Sequence, residues 1–131
     1  MAMEKPADWT FAVSLPAKDI EGTRKFYEEV LGLKAIREDP AGIMYRAGDS
    51  VVLLYPTEHA GTAKHTIGGF VVEDLEATTK DLQSKGVKFE EYDMPGLKTE
   101  NGVATLGDSK VAWFKDPEGN ILALNEYSAW D

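Results

Sequence analysis

The chain carries one pattern twice, and this internal repeat constrains its fold more than any other feature of the sequence. In the first copy an apolar stretch ends at Asp19, and in the second a similar stretch ends at Asp74, 55 residues later. Each Asp is followed by a segment with the period of a helix, which ends at Gly32 or Gly86. A unit of this size cannot bury its own sheet, so we expect the two copies to pack together and to leave a concave surface between them.

The composition indicates a single globular domain and narrows the range of its partners. The 131 residues are 43% hydrophobic and carry a formal net charge of −9. A length of this order fits one domain, and an acidic protein is repelled by nucleic acid and by anionic membranes. The absence of cysteine excludes thiolate catalysis, disulfides and sulfur-ligated metals. The sequence resembles neither a signal peptide nor a membrane span, so we expect a cytoplasmic protein without nucleic-acid or membrane partners.

The first copy predicts a strand, a helix and a hairpin. Bulky and small residues alternate over 9–15, which is the period of a strand. Asp19 is a suitable N-cap, and an apolar stripe follows it as far as Gly32. A β-type run at 33–36 comes next. Two further β-type runs, 43–47 and 51–55, flank a Gly-Asp-Ser turn and predict a hairpin.

The second copy predicts a similar order of elements with one insertion. We expect strands and a helix at 65–72, 74–85, 87–91, 110–115 and 121–127. The segment 92–102 is rich in turn-forming residues and has no counterpart in the first copy. It predicts an inserted loop, which we expect to lie over the cavity as a lid.

Two motifs give the chain a family resemblance. The first is Lys-Asp-Ile-Glu-Gly-Thr-Arg-Lys-Phe-Tyr-Glu-Glu-Val-Leu-Gly-Leu at 18–33, and the second is Phe-Lys-Asp-Pro-Glu-Gly-Asn-Ile-Leu-Ala-Leu at 114–124. With the repeated unit they resemble the vicinal oxygen chelate superfamily, which includes glyoxalase I, extradiol dioxygenases, fosfomycin-resistance enzymes and bleomycin-resistance binding proteins. The resemblance implies an α+β fold of the glyoxalase/bleomycin resistance type. Two tandem βαβββ modules, about 9–57 and 65–127, would form a curved mixed sheet or half-barrel with the helices outside.

The resemblance also implies where a metal would be bound. Enzymes of this superfamily hold a divalent metal with side chains from the inward faces of four strands. Matched by register, these positions fall on Ala12, Leu53, Ile67 and Ala123, which offer neither oxygen nor imidazole donors. His65 is expected on the same face as Ile67, but one imidazole without a carboxylate partner is not a metal site. We therefore expect no metal and no other cofactor.

Five side chains are candidates for contact with a small ligand, and all of them except Tyr92 have an ordinary structural alternative. Trp113 is either a stacking wall or a core residue, and Tyr92 would reach the ligand from the inserted segment. The hydroxyl of Tyr55 either lines the cavity mouth or plugs the end of a sheet. His65 is either a proton donor in the cavity or a cap at the start of a strand. Lys98 either approaches an anionic group of the ligand or is solvated.

The sequence favours a metal-free binding protein that sequesters an apolar or aromatic organic ligand in the sheet cavity. We expect it to be a homodimer, because strand edges of such modules are commonly covered by self-association. The alternative is a lyase, isomerase or dioxygenase-like enzyme that uses His65 or Tyr55 as acid and base, or that holds a metal at displaced positions. A scaffold protein is a third possibility. Metal content and an open cavity distinguish these three classes.

Overall fold

The computed structural model describes residues 8–128, which form two sheets that share one core. The first module contains four strands, with one helix that continues as a π-helical segment. In chain order these are β1 (Ala12–Ala17), α1 (Ile20–Lys25), the π-helical segment (Phe26–Val30), β2 (Lys34–Asp39), β3 (Gly42–Ala47) and β4 (Ser50–Pro56). The strand order in the sheet is β1-β4-β3-β2, and β1 and β4 are parallel.

The second module repeats this arrangement and adds two short strands. Its elements are β5 (Thr66–Val71), α2 (Leu75–Ser84), β6 (Asp93–Met94), β7 (Leu97–Glu100), β8 (Val103–Leu106), β9 (Ser109–Lys115) and β10 (Ile121–Tyr127). The strand order is β5-β10-β9-β8-β7-β6, with β5 parallel to β10. The predicted fold class, two βαβββ modules with a curved sheet inside and helices outside, is confirmed.

An aspartate caps the beginning of each helix. The carboxylate of Asp19 accepts a hydrogen bond from the backbone N–H of Gly22 at 3.0 Å, and that of Asp74 accepts one from Ala77 at 3.0 Å. The first helical run ends at Gly32, whose φ of 74° suits a residue without a side chain. The predicted N-cap at Asp19 and the predicted helix end at Gly32 are therefore confirmed.

The segment 92–102, which the sequence predicted to be a loop, is a hairpin that widens the second sheet. Strands β6 and β7 pair with each other, and β7 pairs with β8. The turn-forming residues lie between these strands. Asn101 and Gly102 both have positive φ, 54° and 81°, as a two-residue type I′ hairpin requires. The predicted strand at 87–91 is also wrong, because it is reduced to a single bridge between Phe89 and Phe114.

One hydrophobic core lies between the sheets and the helices. The first sheet contributes Leu15, Tyr45 and Leu54, and the second contributes Phe114 and Leu122, each no more than 1% exposed. Leu75 and Leu82 of α2 and Tyr27 of the π-helical segment pack on the same cluster. Because both sheets cover this core with one face, their other faces remain available for a ligand. We call these the open faces.

The two modules meet where β1 and β5 lie side by side. A Cβ atom on Gly68 of β5 would lie 3.1 Å from Cγ2 of Val13, so a glycine permits this close approach. Within residues 8–128 no helix is both long and apolar enough to cross a membrane. The cytoplasmic location stays a prediction.

The turn between β9 and β10 fastens the second module to the first. Asp116 is 5% exposed, and its Oδ1 atom accepts hydrogen bonds from the backbone N–H groups of Glu118 and Asn120. An Asp side chain that accepts hydrogen bonds from the backbone that follows it is typical of a turn. Its Oδ2 atom accepts hydrogen bonds from the Tyr27 hydroxyl at 2.5 Å and from the side-chain amide of Asn120 at 2.9 Å. Asn120 also donates to the carbonyl of Pro16 in β1 at 2.8 Å. The motif at 114–124 therefore joins the modules.

Candidate functional site

The open face of the second sheet carries a cavity of about 330 Å³. Side chains alternate across a strand, so Trp113 of β9 points to this face while its neighbours Ala112 and Phe114 point to the core. The same alternation brings Ala123 and Asn125 of β10 into the cavity. The volume is at the lower end of the range of small-molecule sites, roughly 300–1,000 Å³.

Trp113 forms a fixed aromatic wall of this cavity. Its indole N–H donates a hydrogen bond to Oγ1 of Thr66 at 3.1 Å. The ring of Tyr92 meets the indole edge to face, with centroids 5.3 Å apart and planes at 90°. Val111 and Ala123 pack in the same apolar cluster. Two neighbours from distant parts of the chain therefore hold the half-buried indole in one orientation.

The cavity lining is uncharged. Its polar groups include Thr66, Ser109 and Asn125, and none of its lining residues is acidic, basic or histidine. The side-chain amide of Asn125 donates to the carbonyl of Phe70 at 3.4 Å. An apolar wall with a few neutral polar groups suits a planar organic molecule more than a free ion.

The positions that hold a metal in related enzymes do not fit one here. Ala12, Leu53 and Ala123 lie on the open faces as expected, since their strand neighbours pack in the core. Ile67 does not, because it packs against the core. A register shift between Ile121 and Leu122 of β10 causes this difference. Within residues 8–128 no three His, Asp or Glu side chains lie together as a metal would require.

The open face of the first sheet is apolar in its centre and basic at one side. On this face Met44 lies opposite Leu53, and Arg46 lies opposite Val51. Tyr55 follows on the same side of β4 and is half-buried. Lys34 of β2 lies opposite Arg46 on β3.

The structure brings only some of the five candidate residues together. Tyr92 and Trp113 are in contact. His65 is exposed in the bend just before β5, next to Thr66, and Tyr55 lies on the first sheet. Lys98 lines a different depression, a groove of about 970 Å³ between α2 and the turn joining β7 to β8.

The ionisable groups with shifted pKa values include a cluster on the helix side, where they are structural. Burial, together with the charge of Asp116, raises the pKa of Tyr27 well above its ordinary value, so this hydroxyl remains a donor. Partial burial alone would raise the pKa of Glu28, but hydrogen bonds from Arg24 and Tyr45 lower it. Arg24 also bonds to Glu38 at 3.0 Å. This network ties α1 to β2 and β3.

Two features of the open faces were missed from the sequence. The bond from Trp113 to Thr66 depends on how β5, β10 and β9 align, and that long-range register has no local signal. The cross-strand pairing of Lys34 with Arg46 depends on a bulge between Ala35 and Arg37. Counting outward from the Gly-Asp turn at 48–49 could have placed Arg46 on the open face, but not its partner.

Comparison with known proteins is consistent with this geometry. A family model described as the Glyoxalase/Bleomycin resistance protein/Dioxygenase superfamily matches residues 10–124. The crystal structure of a glyoxalase family protein from Bacillus anthracis superposes with a TM-score of 0.75 at 18% identity, over 96% of this chain and 100% of that chain. TnmS3, an antibiotic binding protein from Streptomyces sp. CB03234, superposes with a TM-score of 0.67 at 21% identity, over 95% of this chain and 100% of that chain.

A plant protein is also similar in sequence. It is the "Probable lactoylglutathione lyase, chloroplastic" of Arabidopsis thaliana, 29% identical over 122 residues, which cover 82% of this chain and 33% of that protein. The chain thus spans about a third of the length of this relative. The two structural similarities lie below 25% identity and show the fold alone.

Proposed function

Because the chain belongs to the Glyoxalase/Bleomycin resistance protein/Dioxygenase superfamily, we propose that it is a metal-free protein that binds an apolar or aromatic organic molecule against Trp113. The observation that carries the proposal is the fixed indole in an uncharged cavity of about 330 Å³. The fold is shared with an antibiotic binding protein, so it is compatible with a binding function.

The residues around the cavity would act by burial and by positioning. A planar ligand on the indole gains roughly 1 kcal/mol from aromatic contact, beyond the apolar area that it buries. Thr66 and Tyr92 hold the indole in place before binding, which lowers the ordering cost. Asn125 offers a neutral polar contact.

The remaining sequence candidates keep their roles as proposals. Tyr55 would contact the ligand from the first sheet, and His65 would contact it from the edge of β5. Lys98 lines the separate groove, so a contact with the same ligand would require a movement of β7.

This function can be tested by measuring the affinity of N-phenyl-1-naphthylamine, an uncharged fluorescent probe, for protein that has been dialysed against a chelator. The probe should bind the wild type, and Trp113→Ala should weaken the affinity by about tenfold or more, since both burial and aromatic contact are lost. Trp9→Ala is the matched control, because Trp9 is 60% exposed and lies outside β1. Equal affinities of wild type and Trp113→Ala would refute the proposed site.

The enzyme alternative has its own test, which the relative named as a lactoylglutathione lyase motivates. Elemental analysis after dialysis should find no stoichiometric transition metal. One retained equivalent of zinc, iron, nickel or manganese would revive the chelating enzyme, despite the lack of donors at Ala12, Leu53 and Ala123.

We also propose that the protein is a homodimer. Strands β2 and β6 end the two sheets and leave edges open. Ile36 and Met94 on these strands are 45% and 51% exposed, which is consistent with an interface.

A further inference from the structure

Two basic side chains face each other directly on the open face of the first sheet. Lys34 of β2 and Arg46 of β3 are partners in the antiparallel register, so their side chains leave the sheet on the same side. The adjacent Tyr45 is 0% exposed and packs in the core. Lys34 and Arg46 therefore point away from the core and are both exposed.

This arrangement is unfavourable for the protein alone. Like charges directly opposite on neighbouring strands destabilise a sheet. Arg37 is also opposite a residue of this face, Met44, but its charge is balanced by Asp39 at 3.1 Å. In the part of the chain that the structure describes, neither Lys34 nor Arg46 has a carboxylate within 4.0 Å. An uncompensated basic pair stands out in a chain of net charge −9.

The surroundings of the pair match an amphiphilic molecule. Val51 lies opposite Arg46 on its other side, and Met44 and Leu53 form the next row of the same face. An apolar floor thus borders two cations. Arginine can donate two parallel hydrogen bonds to a carboxylate, sulfonate or phosphate, and lysine adds a second positive charge.

We propose that Lys34 and Arg46 bind an anionic group of the ligand. This inference rests on the proposed function and narrows its ligand class to organic anions that have an apolar or aromatic body. The body contacts the open faces of the sheets, and the anionic group neutralises the basic pair.

Two probes with the same rings test this inference. 8-Anilinonaphthalene-1-sulfonate differs from N-phenyl-1-naphthylamine by its sulfonate group. The wild type should bind the sulfonate probe more tightly. Lys34→Gln and Arg46→Gln should each weaken that binding by roughly fivefold, while the affinity for the uncharged probe changes by less than about twofold. Added salt should weaken only the binding of the sulfonate probe.

The controls separate a binding role from a structural one. Lys88→Gln removes one exposed positive charge from outside both sheets and should leave both affinities unchanged. Because the like-charge repulsion is relieved, Lys34→Gln and Arg46→Gln should melt at the same temperature as the wild type or up to about 4 °C higher.

Three outcomes would overturn the anion site: no preference of the wild type for the sulfonate probe, no loss of this preference in Lys34→Gln and Arg46→Gln, or equal losses for both probes. The proposed function fails separately. It is refuted if Trp113→Ala binds the uncharged probe as tightly as the wild type, regardless of the affinities measured for Lys34→Gln and Arg46→Gln.

Discussion

A single buried carboxylate holds the two modules in register. Asp116 accepts four hydrogen bonds, two from backbone N–H groups in its own turn and two from the side chains of Tyr27 and Asn120. The first two shape the turn, and the bond from Tyr27 links it to the first module. An acceptor-only group is needed here, because every neighbour donates.

The change Asp116→Asn should therefore destabilise the protein strongly. The amide keeps one acceptor oxygen and turns a donor toward other donors, so we expect a loss of about 2–3 kcal/mol in the free energy of unfolding. Urea denaturation measures this loss. Asp108→Asn, at an exposed turn position, should change the stability by less than about 0.5 kcal/mol. Similar values for the two variants would contradict the role of Asp116.

At the scale of elements, α1 is held at its beginning by a residue from the other module. Oε2 of Glu118 accepts hydrogen bonds from the backbone N–H of Asp19 and from the hydroxyl of Thr23, each at 2.9 Å. Partial burial alone would raise the pKa of Glu118, but its bonds to the N–H groups of Asp19 and Lys18 and to Thr23 lower it. The charged form therefore stabilises the folded state.

This contribution to stability should depend on pH. Since the pKa of Glu118 is lower in the folded state, its stabilisation is complete above the unfolded-state pKa of about 4.3 and is lost as the pH falls through the folded-state pKa. Glu118→Ala should cost about 1–2 kcal/mol at pH 7, and less with each step of acidification below pH 4. Glu73→Ala, at an exposed glutamate, is the control for urea denaturation across this range. A pH-independent difference would contradict the assignment.

The turn between β7 and β8 depends on a close approach of its backbone to Phe89, whereas the turn between β6 and β7 does not. Gly96 and Gly102 have the same φ of 81°, but only Gly102 is crowded. A Cβ atom there would lie 2.8 Å from Cβ of Phe89, whereas the same atom on Gly96 would meet nothing within 4 Å. The two glycines form a natural matched pair.

We predict that Gly102→Ala destabilises the protein more than Gly96→Ala. Both variants should lose about 1 kcal/mol in the free energy of unfolding, because alanine disfavours a positive φ. The contact with Phe89 adds a further loss of roughly 1 kcal/mol for Gly102→Ala. Thermal denaturation followed by circular dichroism gives the order of the two melting temperatures. A lower melting temperature for Gly96→Ala would show that the turn near Phe89 is not tightly packed.

The sequence predicted elements whose signals are local and missed those set by pairing. Capping by Asp19 and the stop at Gly32 act within one turn of a helix, so both were predictable. The dipeptide Asn101-Gly102 is typical of both loops and hairpins. Here it forms a hairpin turn because β7 pairs with β8. The orientation of Ile67 was wrongly predicted for the same reason, because the bulge that turns its side chain to the core arises from the pairing of β5 with β10. The sequence identified Trp113 as a candidate for the aromatic wall of the cavity. It did not identify Thr66 as the hydrogen-bond partner of the indole.

The two modules are held together as a single unit by one hydrophobic core and by the turn at Asp116. The core includes residues from both sheets and both helices, and the turn at Asp116 bonds to Tyr27. The open edges at β2 and β6 remain, and our proposal of a homodimer follows from them.

Sedimentation velocity tests the dimer. We expect a species of twice the chain mass of 14.4 kDa at tens of micromolar, roughly the range of ordinary weak dimers. Met94→Lys, which places a charge on β6, should shift the population toward monomer if this edge is in the interface, while Lys88→Gln should not. A monomer at every concentration would contradict the proposal.

Contact between Trp113 and an organic ligand, without the help of a metal, can be observed directly by NMR. The chain has three tryptophans, so the indole N–H region of a ¹H–¹⁵N spectrum is simple, and Trp113→Phe assigns the relevant signal. The measurement is a titration of chelator-treated protein with N-phenyl-1-naphthylamine. We predict that the Trp113 indole signal shifts progressively and reaches saturation, because the probe lies against that ring. A signal that stays fixed, or that moves only after a divalent metal is added, would contradict metal-free binding at Trp113.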